Sequence, residues 1–482
     1  MSCCACQILA QLARNTDVAY SLVVNGALIS IMKQMQVDRN TSRGSHDPNK
    51  GTHRRRIAMV AAMCYLTTVP EGAAQVIKTH GGIHTIGLML EIARQEEQGL
   101  KKAYLGACLM NISRICGTPE FSPIVARELE QDDVAHIIDL LLRGETHIFM
   151  YGVYAIMGLA RVHPVSIVLG KLNAGHALCT IGSRAIIRLQ KYRNTLNAQP
   201  NKLGQAQRDM QLVEAVSGAL AMLSMCASNK LHLVESGALG LCANVLLLPI
   251  ATDCALQMCV NCIWHTAVKE SKWGNVSGDG GVCDRVQKTV QKAIIDLGLP
   301  KVLSDRVRNL CPTSIHLRVL AMNLFEVMAT SKYAGSDTIA QSGGNPDVLE
   351  EYYLDLVRAR TSTTTPSATA HQQVLWEKVR KNVVGSTGSV NFGQGFETGT
   401  ADDLQECGAK GLARRALLPG RKKVIAEGGG MQALMDLMAL EDASNAVLCK
   451  AAHALMNLTA SPKLQVSKAV RKGVATLVQH AV

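Results

Sequence analysis

RKKVIAEGGGMQALMDLMALEDASNAVLCKAAHALMNLTA, Arg421 to Ala460, is the stretch that decides the fold. A short amphipathic segment with Val424 and Ile425 runs into Gly428-Gly429-Gly430. The chain turns sharply there, and glycine takes a positive φ without steric cost. Met431, Leu434, Met435 and Met438 then recur at helical spacing. After the polar break Glu441 to Asn445, a longer stripe follows: Val447, Leu448, Ala451, Ala454, Leu455 and Leu458. Ser444 or Asn445 is placed to cap it. The stretch predicts a short helix, a glycine turn, a middle helix and a long third helix. None of the three buries its apolar face alone, so the unit reads as one tile of a stacked array.

This unit resembles an armadillo repeat. GGGMQALMDLM stands where that family has its glycine turn and second helix. CKAAHALMNLTA, Cys449 to Ala460, stands where it has the third helix, ending in an Asn four residues after a groove-facing position. The same signature recurs, more weakly, along nearly the whole chain. The resemblance implies an all-α fold, a right-handed α-solenoid of about eight armadillo-like three-helix units with insertions. Members of the family bind other proteins rather than share one chemistry.

Composition favours an array over one large core. The 482 residues are 48% hydrophobic, yet only 4% aromatic, with 5 Phe and 3 Trp. Stacked small helices packed with Ala, Leu, Val, Met and Cys need little aromatic volume. A net charge of +12 suits an acidic partner. The 16 Cys are scattered singly among apolar residues, as at Cys108, Cys226, Cys242 and Cys449, which reads as reduced thiols and a cytoplasmic setting. No run approaches the ~18 apolar residues of a membrane span, and MSCCACQILAQLARN lacks the pattern of a signal peptide.

Turns are expected at Asn25-Gly26, Gly81-Gly82, Asp132-Asp133, Ala174-Gly175, Ser236-Gly237, Leu297-Gly298, Gly343-Gly344, Gly429-Gly430 and Lys472-Gly473. Their shortest steps are about 43 residues, within the span of armadillo units. Polar stretches at Asp38–Thr52, Tyr192–Gln207 and Glu270–Gly281 read as a loop and two insertions. The division expected is a solenoid over 1–360, a flexible insertion with one basic helix over 361–400, and further units of the same solenoid over 401–482. Cys3–Arg14 reads as a third helix, and GVATLVQHAV as a second helix without a third to cover it. Apolar faces at Ile8, Leu9 and Leu12 and at Val474, Leu477 and Val478 are therefore expected to meet another polypeptide, or the native chain is longer.

In armadillo proteins the third helices line the concave groove. The resemblance places Asn111, Asn261, Asn323 and Asn457 at the family's groove position, with Arg114, Tyr154 and His453 beside them. An Asn there bonds the backbone of an extended peptide, or else satisfies interhelical backbone groups; both readings stand at the level of sequence. Importin-α-like adaptors carry a Trp four residues before each Asn. Here those positions hold Ala107, Gln257, Val319 and His453, so a transport adaptor is disfavoured. Cys259, Cys262 and His265 share a metal-like spacing, but no second CxxC completes a set of four ligands, and packed thiols are the preferred reading. No metal, cofactor or catalytic constellation is expected. Lone glycine clusters at Gly393–Gly395 and Gly428–Gly430 follow no buried strand, and no GK[ST] is present.

Basic clusters occur at Arg54-Arg55-Arg56, Arg188/Lys191/Arg193, Lys378/Arg380/Lys381, Arg414-Arg415 and Arg421-Lys422-Lys423. They lack the aromatic interleaving of single-strand binders, which disfavours nucleic acid and favours proteins with acidic surfaces or tails. The expectation is a non-catalytic protein–protein scaffold, a structural component of a cytoskeletal or ciliary assembly. The alternatives are an importin-α-like adaptor and a myosin-chaperone-like protein, whose armadillo region CKAAHAL and VIAEGGG resemble.

Overall fold

The computed structural model describes residues 3–42, 50–79, 109–111, 115, 124, 131–143, 146–195, 203–267, 280–303, 324, 348–358, 401–418, 420–440 and 443–460. Every regular element among them is helical, so the fold is all-α. The helices are α1 Cys3–Leu12, α2 Thr16–Val24, α3 Ala27–Ser42, α4 Lys50–Leu66, α5 Pro70–Lys78, α6 Gln131–Arg143 and α7 Thr146–Leu159. They continue with α8 His163–Lys171, α9 Ala174–Thr195, α10 Leu203–Ser224, a 3-10 turn at Ala227–Asn229, α11 Lys230–Glu235, α12 Ala238–Leu247, α13 Asp253–Ala267 and α14 Gly280–Asp296. The last are α15 Val348–Val357, α16 Ala401–Arg415, α17 Arg421–Glu427, α18 Gly430–Met438 and α19 Asn445–Thr459. The chain divides into two compact units, one holding α1–α11 and the other α15–α19.

The elbow between short and middle helices is the most regular feature. Gly26, Gly237 and Gly429 sit at it, and Gly298 ends the 17-residue α14 in the same way, all with φ between 62° and 82°, as the sequence predicts. The fifth elbow departs from expectation, because Asn173 takes the left-handed conformation at φ 58° and Gly175 lies inside the first turn of α9. Asn tolerates that region better than other residues with a side chain. The elbows bend the chain alike, by 69° between α2 and α3 and by 72° between α8 and α9. Caps fix the starts: Asn15 Oδ1 accepts from the Asp17 amide at 2.9 Å, and Ser444 Oγ from the Val447 amide at 3.4 Å.

Helices from successive parts of the chain then pack on one another. In the first unit α1 lies along α4 and α7 along α10; in the second α16 lies along α19. Within that second unit α15 also packs on α16, and α18 on α19. The buried stripe of α19, Val447, Ala451, Ala454, Leu455 and Leu458, is the one read from sequence, with Leu448 half-buried. No single described helix is long and apolar enough to cross a membrane.

Three expectations need correction. Asp132-Asp133 opens α6 rather than forming a turn. Tyr192–Gln207 is helical at both edges, since α9 continues to Thr195 and α10 begins at Leu203, while 196–202 lie outside the described residues. Ile186, Leu189 and Tyr192 form a buried stripe that reaches the start of the polar stretch, and Arg188 is spent on a bidentate pair with the buried Asp209, at 2.6–3.1 Å. Asp38–Thr52 is likewise helical at both edges, with α3 reaching Ser42 and α4 starting at Lys50. The 361–400 insertion, the turns at Gly81-Gly82, Gly343-Gly344 and Lys472-Gly473, and the segment 474–482 lie outside the described residues.

Candidate functional site

Stacking of α16 on α19 positions the best-defined candidate surface. On α16 Lys410 and Arg414 face solvent, one turn apart; on α19 Cys449 and His453 do the same. The residue after Arg414 turns about 100° away and points inward. There the Arg415 Nε donates to Glu350 Oε1 of α15 at 2.8 Å, and its Nη2 lies 2.7 Å from the same oxygen. The Arg421 Nε adds a longer contact of 3.7 Å to that carboxylate. Burial pushes the Glu350 pKa up from its ordinary value, opposed by Arg415 and Arg421. Two glycines let α15 approach so closely. A Cβ on Gly411 would fall inside the Tyr353 ring, and one on Gly408 would sit 2.8 Å from the Tyr353 carbonyl oxygen.

Arg415 is thus not part of a surface patch, contrary to expectation. Its guanidinium is 3% exposed because a buried carboxylate requires a buried cation. Arg421 and Lys422 are half-buried, and the exposed Lys423 pairs with Glu427 at 3.6 Å. Arg414 faces solvent beside Lys410. Arg55 and Arg56 are half-buried on α4; Arg54 shares that helix, but its side chain lies outside the described residues.

Asn residues at the expected groove position serve the packing. The buried Asn457 Nδ2 donates to the Ala413 carbonyl at 2.9 Å, tying α19 to α16. Thr67 Oγ1 donates to Oδ1 of the fully buried Asn111 at 2.7 Å. Both bonds join residues 44 positions apart. Asn261 is buried on α13, and Tyr154 is half-buried on α7. Arg114 and Asn323 lie outside the described residues. The structure therefore brings His453 and Asn457 together on one helix, with only His453 presented outward. Lys410 was missed in the sequence, although it stands 43 positions before His453.

Of the cysteines read as packed thiols, Cys226, Cys242, Cys259 and Cys262 are buried, whereas Cys449 is exposed. Among the described residues no group of three or more His, Cys, Asp or Glu is arranged to hold a metal. Burial, together with the neighbouring Cys262, pushes the Cys179 thiol up to about 12.

No family model and no curated protein matches this chain. Among solved structures it is similar to an engineered protein, with 11% identity over 78% of this chain and 96% of that one, at a TM-score of 0.33. It is also similar to a chain from work on a phosphorylation switch controlling the interaction between cadherin and beta-catenin. There the identity is 12%, over 94% of this chain and all of the other, at a TM-score of 0.38. Similarity at these scores carries no argument about fold or function.

Proposed function

We propose that this chain is a non-catalytic scaffold of armadillo type, a right-handed α-solenoid whose stacked third helices hold an acidic segment of another protein. The observation that carries this reading is the paired helices α16 and α19. A hydrogen bond from the Asn457 side-chain amide to the Ala413 carbonyl closes their seam, and Lys410, Arg414 and His453 stand outward from them. Side chains at one-turn spacing on adjacent parallel elements suit an extended or helical peptide with carboxylates at matching intervals. Recurrent left-handed elbows and repeated third-helix packing support the solenoid.

Photo-crosslinking tests the reading. A benzophenone side chain replacing His453 should capture a polypeptide in native extract, with the yield falling as salt screens the contact. The same group replacing the exposed Gln432 of α18 should not. Lys410→Glu with Arg414→Glu should abolish the His453 adduct. Equal capture from both positions, or capture indifferent to the double substitution, would overturn the proposal.

A further inference from the structure

A small cavity lies in the first unit, where the α8–α9 elbow meets α11. His176 reaches it from the first turn of α9, His232 from α11, and Asn229 from the 3-10 turn just before α11. Leu223 and Leu233 give it an apolar wall. Its volume is about 10 Å³, room for a single water-sized body.

Asn229 decides what kind of body that is. The residue is 1% exposed, and its Nδ2 is spent. It donates to the Ser166 carbonyl at 2.9 Å, to Ser166 Oγ at 3.1 Å and to the Leu223 carbonyl at 3.2 Å. Two carbonyl acceptors around that nitrogen fix which way the amide is turned, because an oxygen in its place would face oxygen. Oδ1 is therefore left to the cavity, and it has no hydrogen-bond partner among the described residues. It lies against Gly170 in the last turn of α8, where a Cβ would overlap it. A buried acceptor is costly to leave alone, so the site asks for a donor or a cation.

The two imidazoles select the cation. A neutral imidazole offers a nitrogen lone pair, which suits Zn²⁺, Cu²⁺ or Ni²⁺ rather than Mg²⁺. Glu235 Oε2 stands 4.0 Å from His232 Nδ1. That leaves Nε2 as the ligand atom and sets a carboxylate behind the ring, as metal-binding histidines have. An amide oxygen as third ligand sets this arrangement apart from the groups of His, Cys and carboxylate absent among the described residues.

We propose that His176, His232 and Asn229 Oδ1 hold a divalent transition-metal ion of the zinc class, with a water completing the four positions that zinc takes. The ion ties the start of α9 to α11 across the elbow. The site lies in the first unit and does not depend on what Lys410 and Arg414 bind.

Histidine modification by diethyl pyrocarbonate, read peptide by peptide by mass spectrometry, tests this on the full chain with zinc chloride as the probe. Zinc should slow modification of His176 and His232 together, by roughly tenfold at about ten times its dissociation constant, and EDTA should restore both rates. Magnesium should protect neither. Both imidazoles are exposed, so His176→Ala and His232→Ala should keep the helicity of the wild type by circular dichroism. In each variant zinc should no longer protect the remaining imidazole. If one variant loses helix, the other decides. Equal rates with and without zinc, as a cavity holding only water would give, would overturn the proposal. So would protection of one imidazole alone, or protection of His176 that survives His232→Ala.

Discussion

Arg415 Nε donates to Glu350 Oε1 across 2.8 Å, with both side chains buried between α15 and α16. The two residues lie 65 positions apart and bracket the 361–400 insertion. The pair therefore holds together two helices that the chain itself joins only through a long connection.

Removing one partner leaves the other buried and uncompensated. Arg415→Met is expected to destabilise the second unit by about 3–5 kcal/mol, reduced in part by Arg421, whereas Arg415→Met with Glu350→Leu should recover most of that loss. Urea denaturation of the three proteins checks this. A double variant as unstable as the single one would assign the cost to packing instead.

The pH dependence has a definite sign. Because the folded Glu350 pKa is raised, the folded state binds its proton more tightly. That contribution is present in full below the ordinary carboxylate value of about 4.3 and is lost as pH rises through the folded value. Measured against Glu350→Gln, the wild-type protein should gain stability on acidification into this window.

Gly411 is a seat for the Tyr353 ring rather than a hinge. Gly411→Ala should cost about 1–3 kcal/mol by overpacking, despite alanine's better helix propensity, and Tyr353→Leu in the same chain should recover part of it. Thermal unfolding of the single and double variants decides between clash and propensity.

Asn457 and Lys410 separate packing from recognition. Asn457→Ala leaves the Ala413 carbonyl without its donor and should cost about 1–3 kcal/mol of stability. Lys410→Glu should leave denaturation unchanged and weaken capture at His453. The reverse pattern would return Asn457 to the recognition surface.

Cys179 is expected to resist alkylation in the folded protein. With its thiol pushed up to about 12, only roughly one molecule in ten thousand carries the thiolate at pH 8. Iodoacetamide labelling followed by mass spectrometry should mark the exposed Cys4 and Cys449 well before it. The raised value also means that this thiol's contribution to stability is present below its ordinary 9.0 and is lost as pH climbs toward 12.

The elbows and helix stripes were legible in the sequence because they are local. A glycine before an apolar stripe at Met431, Leu434 and Met435 reports both turn and helix from adjacent residues. Asn173 and the continuous α9 were less so, since Asn at a turn and a polar helical end mimic a loop. The Arg415–Glu350 pair could not be read from charge runs. Its signal was instead the glycine spacing Gly408/Gly411, which marks close helix approach, together with a carboxylate inside the apolar run of α15. The asparagines were ambiguous for the same reason: an amide at that position serves a neighbouring helix as well as it serves a peptide.

Small-angle X-ray scattering of this chain, diluted until its profile no longer changes, tests the central proposal most directly. If the helices stack as proposed, about eight units at about 10 Å per helix layer should give an elongated particle of roughly 80–100 Å, with an asymmetric distance distribution. Its radius of gyration should lie well above the ~23 Å expected for a globular chain of this length. A symmetric distribution with a radius near that globular value would contradict the stacked-repeat scaffold.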